Sequence, residues 1–248
     1  MEADGKTCDY GVYDIDWGRP QCRGPLGPLG LAPTESRTQL PRLLLATNNR
    51  GKVGEYRALL AGCGWEIVTP ADIGLDLDVD ESGPDYATNA RIKAEAFAQA
   101  GGLLALADDS GIEVDALGGL PGALSARYAG PDGTDEDRVA LLLRQMEGVP
   151  MDKRACRFRC VIALAEPAGR VWFTEGECEG SVAEAPRGEN GFGYDPIFYL
   201  PDRGCTIAEL PSDEKNTISH RGRAARKACA LLKEMIDGSG NDPQGAGC

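Results

Sequence analysis

The chain has 248 residues, 42% of them hydrophobic, and a formal net charge of −13. That size suits one domain, or two lobes over one core, and no stretch approaches the ~18 apolar residues of a membrane helix. The acidic balance argues against a nucleic-acid polymer as partner, which needs a basic surface. Nine scattered cysteines fit a reducing compartment better than a disulfide framework.

Residues 1–41 are rich in Gly and Pro, hold no lasting apolar period, and read as a disordered extension. Met1 to Gly11 show no basic segment followed by an apolar run, so no secretory signal is read and a cytoplasmic protein without a membrane partner is expected. Leu43–Leu44–Leu45–Ala46 predicts a buried strand. Lys52 to Leu60 predicts a helix with Val53, Tyr56, Leu59 and Leu60 on one face. Trp65–Val68 reads as a strand and the Ala-rich run Tyr86 to Ala100 as a helix. Leu103 to Ala107 is a strand running into Asp108–Asp109–Ser110–Gly111, after which Ile112, Val114 and Ala116 alternate as a half-buried strand.

Asp135 to Met146 predicts a helix. Arg157–Ala165 and Arg170–Gly176 predict an antiparallel pair across Pro167–Ala168–Gly169. Gly188 to Pro196 is a Gly-rich loop, and Ser219 is placed to cap a last helix through Ile236. Residues 237–248 read as a flexible tail. Crossover helices followed by a hairpin imply an α/β domain over 42–236 with a mixed sheet.

Five segments can carry chemistry. Thr47–Asn48–Asn49–Arg50–Gly51–Lys52 stands where a strand meets a helix, so backbone N–H groups and a lysine can hold an anion. Spacing alone favours a helix-capping turn with a surface lysine. It is not a Walker A loop, since Ala46 stands where its first glycine belongs and Val53 follows the lysine. Asn89 and Lys93 share one helix face, which by itself reads as a solvated polar face.

Asp108 and Asp109 end an apolar strand. Successive side chains point to opposite faces, so the two carboxylates do different jobs. One can hold a hard cation such as Mg²⁺ or orient water while the other braces the turn. An Asx turn with exposed acids is the competing reading. Gly191 to Pro196 sets glycines beside Phe192 and Tyr194, which suits stacking on a base or a hairpin with core-packed rings. Lys215 to Lys227 holds five Lys or Arg, the only His and no carboxylate. Cations at a helix start oppose its dipole, and a bound anion would offset that cost.

The stretches ATNNRGKVGE, NARIKAEAFA, ADDSGIEVDALGGLPGALSARYAG, GFGYDPIF and AELPSDEKNTISHRGRA occur here in one order between Leu43 and about Ile236. Together they resemble the inosine triphosphate pyrophosphatase family, which acts on non-canonical purine nucleotides. The resemblance implies a long bent mixed sheet flanked by helices, in two lobes with the substrate cleft between them, and a homodimer. It also implies Mg²⁺-dependent hydrolysis of ITP, dITP and XTP to the monophosphate and pyrophosphate.

Residue by residue, Thr47, Asn48, Asn49, Arg50, Gly51, Lys52, Lys93 and Lys215 would hold the phosphates. Asp109 would be the catalytic carboxylate and a metal ligand, with Ser110 touching substrate. Phe192, Gly193, Tyr194 and Asp195, with His220 and Arg221, would form the base pocket. A second acidic ligand is expected just before the Asn89 helix, at Asp80 or Glu81. Residues 1–41 lie outside the resemblance, and Asn48 stands where glycine is common in the family. The alternatives are a pyrophosphatase of the same fold for other modified nucleotides, or a nucleotide sensor without catalysis. Paired carboxylates that would repel a triphosphate without a metal argue against the sensor.

Overall fold

Alternation along the first strand sets the architecture. In β1 (Arg42–Leu45), Leu43 and Leu45 pack into one apolar cluster while Leu44 packs into another. Burial on both faces is the mark of a parallel strand between helical layers. β2 (Glu66–Val68) and β3 (Leu104–Val114) flank it in parallel. β4 (Ala155–Ala165), β5 (Val171–Val182), β6 (Phe198–Leu200) and β7 (Cys205–Thr206) extend the sheet antiparallel. The order is β2-β1-β3-β4-β5-β6-β7, a curled mixed sheet, as expected. These features come from a computed structural model that describes residues 39–238. The extension and tail expected over 1–41 and 237–248 otherwise lie outside the described residues.

Each long helix begins on a side chain that satisfies an orphan backbone donor, a cap worth about 1 kcal/mol. Asn49 caps α1 (Arg50–Leu59) by accepting from the Lys52 N–H. Asp85 caps α2 (Tyr86–Gly101), and Thr134 with Asp137 forms a reciprocal box on α3 (Asp135–Gln145). The short α4 (Ser212–Ile218) leads into α5 (His220–Ile236), which Ser219 caps as expected.

α1 and α5 cover one face of the sheet through Tyr56, Leu60, Ala225 and Leu232, and α2 covers the other through Ala90, Ala94 and Phe97. A third cluster, around Ile112, Phe158, Leu142 and Phe198, fills the far end. β3 and β4 run through both regions, so the two lobes share continuous strands. β5 approaches α5 closely. A Cβ on Gly176 would stand 2.3 Å from the carbonyl oxygen of His220, so glycine there lets the start of α5 sit against the sheet.

The structure departs from the sequence reading at several points, among them β5, which runs to Val182 where the expected hairpin strand stops at Gly176. Asp108–Asp109–Ser110–Gly111 does not end a strand: it is the middle of β3, paired with Ile162, Val161, Cys160 and Arg159 of β4. Ala116 falls in a 3-10 turn (Asp115–Leu117) after the strand. β6, β7 and α4 were not anticipated, being too short to show a period.

Candidate active site

Strand parity carries on from the apolar part of β3 into its polar part. Leu104 and Leu106 face the α1/α5 side, while Ala105 and Ala107 face α2. Asp108 therefore points at α1 and α5, and Asp109 at α2. The contacts agree. Asp108 Oδ1 lies 3.0 Å from Lys52 Nζ on α1, and its Oδ2 lies 3.4 Å from Arg221 Nε on α5. Asp109 Oδ2 accepts from Asn89 Nδ2 on α2 at 3.0 Å, and its Oδ1 from the Ser110 N–H. Both aspartates are buried. Asp109 lines a cleft of about 360 Å³; Asp108 lies beneath it.

The two carboxyls titrate in opposite directions. Burial raises Asp108, but Lys52, Arg221 and Lys93 outweigh it and hold the carboxyl well below the usual range. Burial also raises Asp109, and here the Asn89 hydrogen bond, Lys52 and Lys93 offset it only in part, so the carboxyl stays above its ordinary value.

Asp108 is one member of a buried ion-pair chain. Arg221 Nη1 donates to Glu55 Oε2 at 2.8 Å, Lys215 Nζ lies 2.7 Å from Glu55 Oε1, and Lys215 also pairs with Asp195. Lys52, Arg221 and Lys215 thus face Asp108, Glu55 and Asp195. Of the basic segment 215–227, Lys215 and Arg221 are neutralised within the fold, while Arg223, Arg226 and Lys227 are exposed. Burial pushes the Glu55 carboxyl up, yet Arg221 and Lys215 leave it below its usual range. Sequence reasoning missed Glu55. The available signal was its place three residues after Lys52, on the same helix face.

Thr47, Asn48, Asn49 and Lys52 line the cleft, whereas Arg50 and Gly51 do not. Gly51 acts through packing: a Cβ there would stand 2.7 Å from Phe192 Cδ1. Lys52 is not the surface lysine of the competing reading, although Asn49 does cap the helix. Asn89 and Lys93 are not a solvated face either; both are buried. Lys93 Nζ bridges Glu81 Oε1 at 2.8 Å and the Asp108 carbonyl at 3.0 Å.

Asp80 and Glu81 part company. Leu75, Leu77 and Val79 pack inward along an extended strap; Glu81 lines the cleft, as does the exposed Asp78, while Asp80 is exposed and outside the lining. Asp80 is therefore not placed beside Asp109.

On the opposite wall, Phe192 is half-buried, with Lys215 Nζ 5.1 Å and Arg221 Cζ 5.3 Å from its ring centroid. Gly193, Tyr194 and Asp195 follow it in the lining. Tyr194 is mostly core, its hydroxyl donating to the Ser125 carbonyl at 3.0 Å. Asp195 is buried and accepts from the Phe192 N–H. His220 stacks on Phe158 with centroids 4.6 Å apart, and its buried Nδ1 has no hydrogen-bond partner among the described residues. Burial, then Arg221 and Lys215, push its pKa well below the usual histidine value, so the ring is neutral. Arg221 also donates to Ser110 Oγ at 2.9 Å.

A cleft where the parallel and antiparallel halves of the sheet meet, lined by Lys52 and Lys93 together with carboxylates that include Asp109 and Glu81, and with Asp108 buried below, defines an α/β protein whose site sets cationic groups beside acidic ones. The chain belongs to the Ham1 family, which it matches over residues 43–231. It is 52% identical over 194 residues to a dITP/XTP pyrophosphatase of Desulforamulus reducens, covering 78% of this chain and 96% of that one. A dITP/XTP pyrophosphatase of Geobacillus kaustophilus is 49% identical over 201 residues, covering 81% and 98%. Among solved structures, a HAM1 protein from Coxiella burnetii superposes with a TM-score of 0.72 at 41% identity, covering 79% of this chain and all of that one.

Proposed function

We propose that this protein is a nucleoside-triphosphate pyrophosphatase that hydrolyses ITP, dITP and XTP to the monophosphate and pyrophosphate, using Mg²⁺. The observation that carries the reading is the convergence in one cleft of residues from all five family-like stretches, around a single cleft-facing carboxylate on β3. The extent of similarity to the two named pyrophosphatases supports the substrate class.

The phosphates would lie against Lys52 and the turn Thr47–Asn49, where the start of α1 presents its positive end. Asp109 would orient the attacking water and take its proton on a carboxylate oxygen. Ser110 and Asn89 hold Asp109 in place. Asp109 and Glu81 fit Mg²⁺, which takes one or two carboxylates and completes its shell with phosphate oxygens and water. Among the described residues no group of three or more His, Cys, Asp or Glu is placed to hold a metal ion by itself, so phosphate oxygens and water would complete the shell. Bound there, Mg²⁺ would neutralise charge on the triphosphate. Lys93 fixes Glu81 and so supports that end of the cleft from below.

The base would stack on Phe192, a contact worth about 1–3 kcal/mol, with neutral His220 beside it as one donor and one acceptor. We extend the reading to a cytoplasmic homodimer. Free thiols at Cys63, Cys156, Cys160 and Cys178 suit a reducing compartment. The exposed neighbours Leu120 and Leu124 offer apolar surface for a second copy. No helix among the described residues is long and apolar enough to cross a membrane.

The test is a panel of nucleoside triphosphates with Mg²⁺ or with a chelator, measuring monophosphate and pyrophosphate together. Release of monophosphate and pyrophosphate in equal amounts from ITP and from XTP, with little of either from ATP, is expected. Release of orthophosphate instead, or turnover unaffected by chelation, would sink the mechanism.

A further inference from the structure

The loop carrying Phe192 contains two glycines in the left-handed region, Gly191 at φ +81° and Gly193 at φ +63°. Such a tip has much conformational freedom to lose. Its backbone is nonetheless tied down. The Gly193 N–H donates to Asp135 Oδ2 at 2.8 Å, across 58 residues of chain. Asp135 is the first residue of α3, and its other oxygen takes Arg138 Nη2. Arg138 Nη1 in turn donates to the carbonyls of Ala126 at 2.8 Å and Gly133 at 2.7 Å.

The segment holding Ala126 is itself indexed to the catalytic strand. Ser125 Oγ accepts from the Ile112 N–H at 2.9 Å, three residues along β3 from Asp109. Tyr194, next to Gly193, reaches the same segment through Ser125. Two routes therefore connect the Phe192 loop to β3, and the charged one passes through Asp135 and Arg138.

We propose that Asp135 and Arg138 are positioning residues that latch the Phe192 loop before substrate arrives, so that a base stacked there is held in register with the phosphates at Asp109. The proposal rests on the reading of the cleft as a purine-nucleotide site. Without the latch, the loop must be ordered at the moment of binding, and affinity falls by that cost. The chemistry at Asp109 and Lys52 is untouched, so the loss falls on KM rather than kcat.

The test compares Asp135→Ala and Asp135→Asn in the full chain, with Glu136→Ala as a control that removes an exposed charge from the same first turn of α3. Hydrogen exchange over residues 188–195, measured without nucleotide, should quicken in Asp135→Ala. It should stay near the parent in Asp135→Asn, whose amide oxygen can still accept from Gly193, and in Glu136→Ala. KM for ITP should rise about tenfold in the Ala variant with kcat within about twofold, the scale of one charge-assisted hydrogen bond. Inhibition by inorganic tripolyphosphate, which occupies only the phosphate end, should not change. Unaltered loop exchange in Asp135→Ala would overturn the latch, even if KM rose, because Asp135 would then act on the base directly. Equal weakening of tripolyphosphate and ITP would overturn it as well. The exchange arm uses no nucleotide, so it decides the latch separately from whether ITP is the substrate.

Discussion

Replacing Asp108 by Asn should destabilise the protein, while the same change one residue on should not. The buried chain balances three cations, Lys52, Arg221 and Lys215, against Asp108, Glu55 and Asp195. Asp108→Asn leaves Lys52 without its anion and Arg221 with Glu55 alone. Removing one member of a buried ion pair costs about 3–5 kcal/mol. Lys52 retains some access to water, so the low end applies, about 3 kcal/mol. For a domain of this size that is a drop of about 6–12 °C in Tm.

Asp109→Asn has the opposite expectation, because burial disfavours the charged form of that carboxyl. The amide keeps an oxygen for one of the two donors and removes the charge, so Tm should hold or rise slightly. Thermal unfolding by circular dichroism, in a chelator at pH 7 and then at falling pH, checks both. The Asp108 contribution is present above its unfolded pKa of about 3.9 and is lost as pH falls through its depressed folded value. The Asp109 penalty sets in as pH rises through about 3.9, so any gain from Asp109→Asn fades below that pH. A Tm loss under about 2 °C for Asp108→Asn, or a larger loss for Asp109→Asn than for Asp108→Asn, would refute the division of labour.

Three further outcomes are expected. Asp109→Asn should lower the turnover of ITP by at least about a hundredfold in a folded protein, since the amide can neither take a proton nor supply charge for Mg²⁺; near-normal turnover at saturating Mg²⁺ would move the role elsewhere. Deletion up to Gln39 should leave kcat/KM within a few-fold, because the family match begins at residue 43; a hundredfold loss in a folded protein would contradict it. The kcat/KM profile between pH 6 and 8 should show no inflection that disappears in His220→Gln, because the buried ring is already neutral across that range.

Local signals carried most of the fold. The apolar run 43–46, the stripe on α1 and the cap at Ser219 each lie within one element, and the structure has them where they were expected. What the sequence hid was non-local. The polar run at Asp108–Gly111 reads as a strand end because nothing nearby shows that β4, some fifty residues later, pairs along it. Asn89 and Lys93 read as solvated because the strap bearing Glu81 and the edge of β3 that cover them lie elsewhere in the chain. Alternation along the strap could not separate Asp80 from Glu81, since Asp78, which shares the parity of Asp80, also lines the cleft.

Arg221 marks the sharpest difference between residue chemistry and residue placement. The resemblance places it in the base pocket, where a donor-only side chain could hold the oxygen at C6 of hypoxanthine or xanthine. In the fold its Nε and Nη2 lie 3.4 Å from Asp108 Oδ2, its Nη1 binds Glu55, and its Nη2 also binds Ser110. The planar fork is committed to three protein partners, and the residue is buried. Arg221→Ala should therefore slow ITP and ATP in equal proportion and lower Tm by several degrees, because Glu55 and Asp108 lose a shared cation. Arg221→Lys should recover part of the stability, since one ammonium can serve only part of a three-partner fork. The discrimination itself would then reside in His220 and the Phe192 loop. Hydrogen bonds that a mismatched base leaves unpaired in a desolvated pocket can reject it by roughly 10⁴-fold. The measurement is kcat/KM for ITP and ATP in the parent and both variants. If Arg221→Ala instead narrows the ITP-to-ATP ratio at unchanged Tm, the guanidinium reaches the base after all and the ion-pair assignment falls.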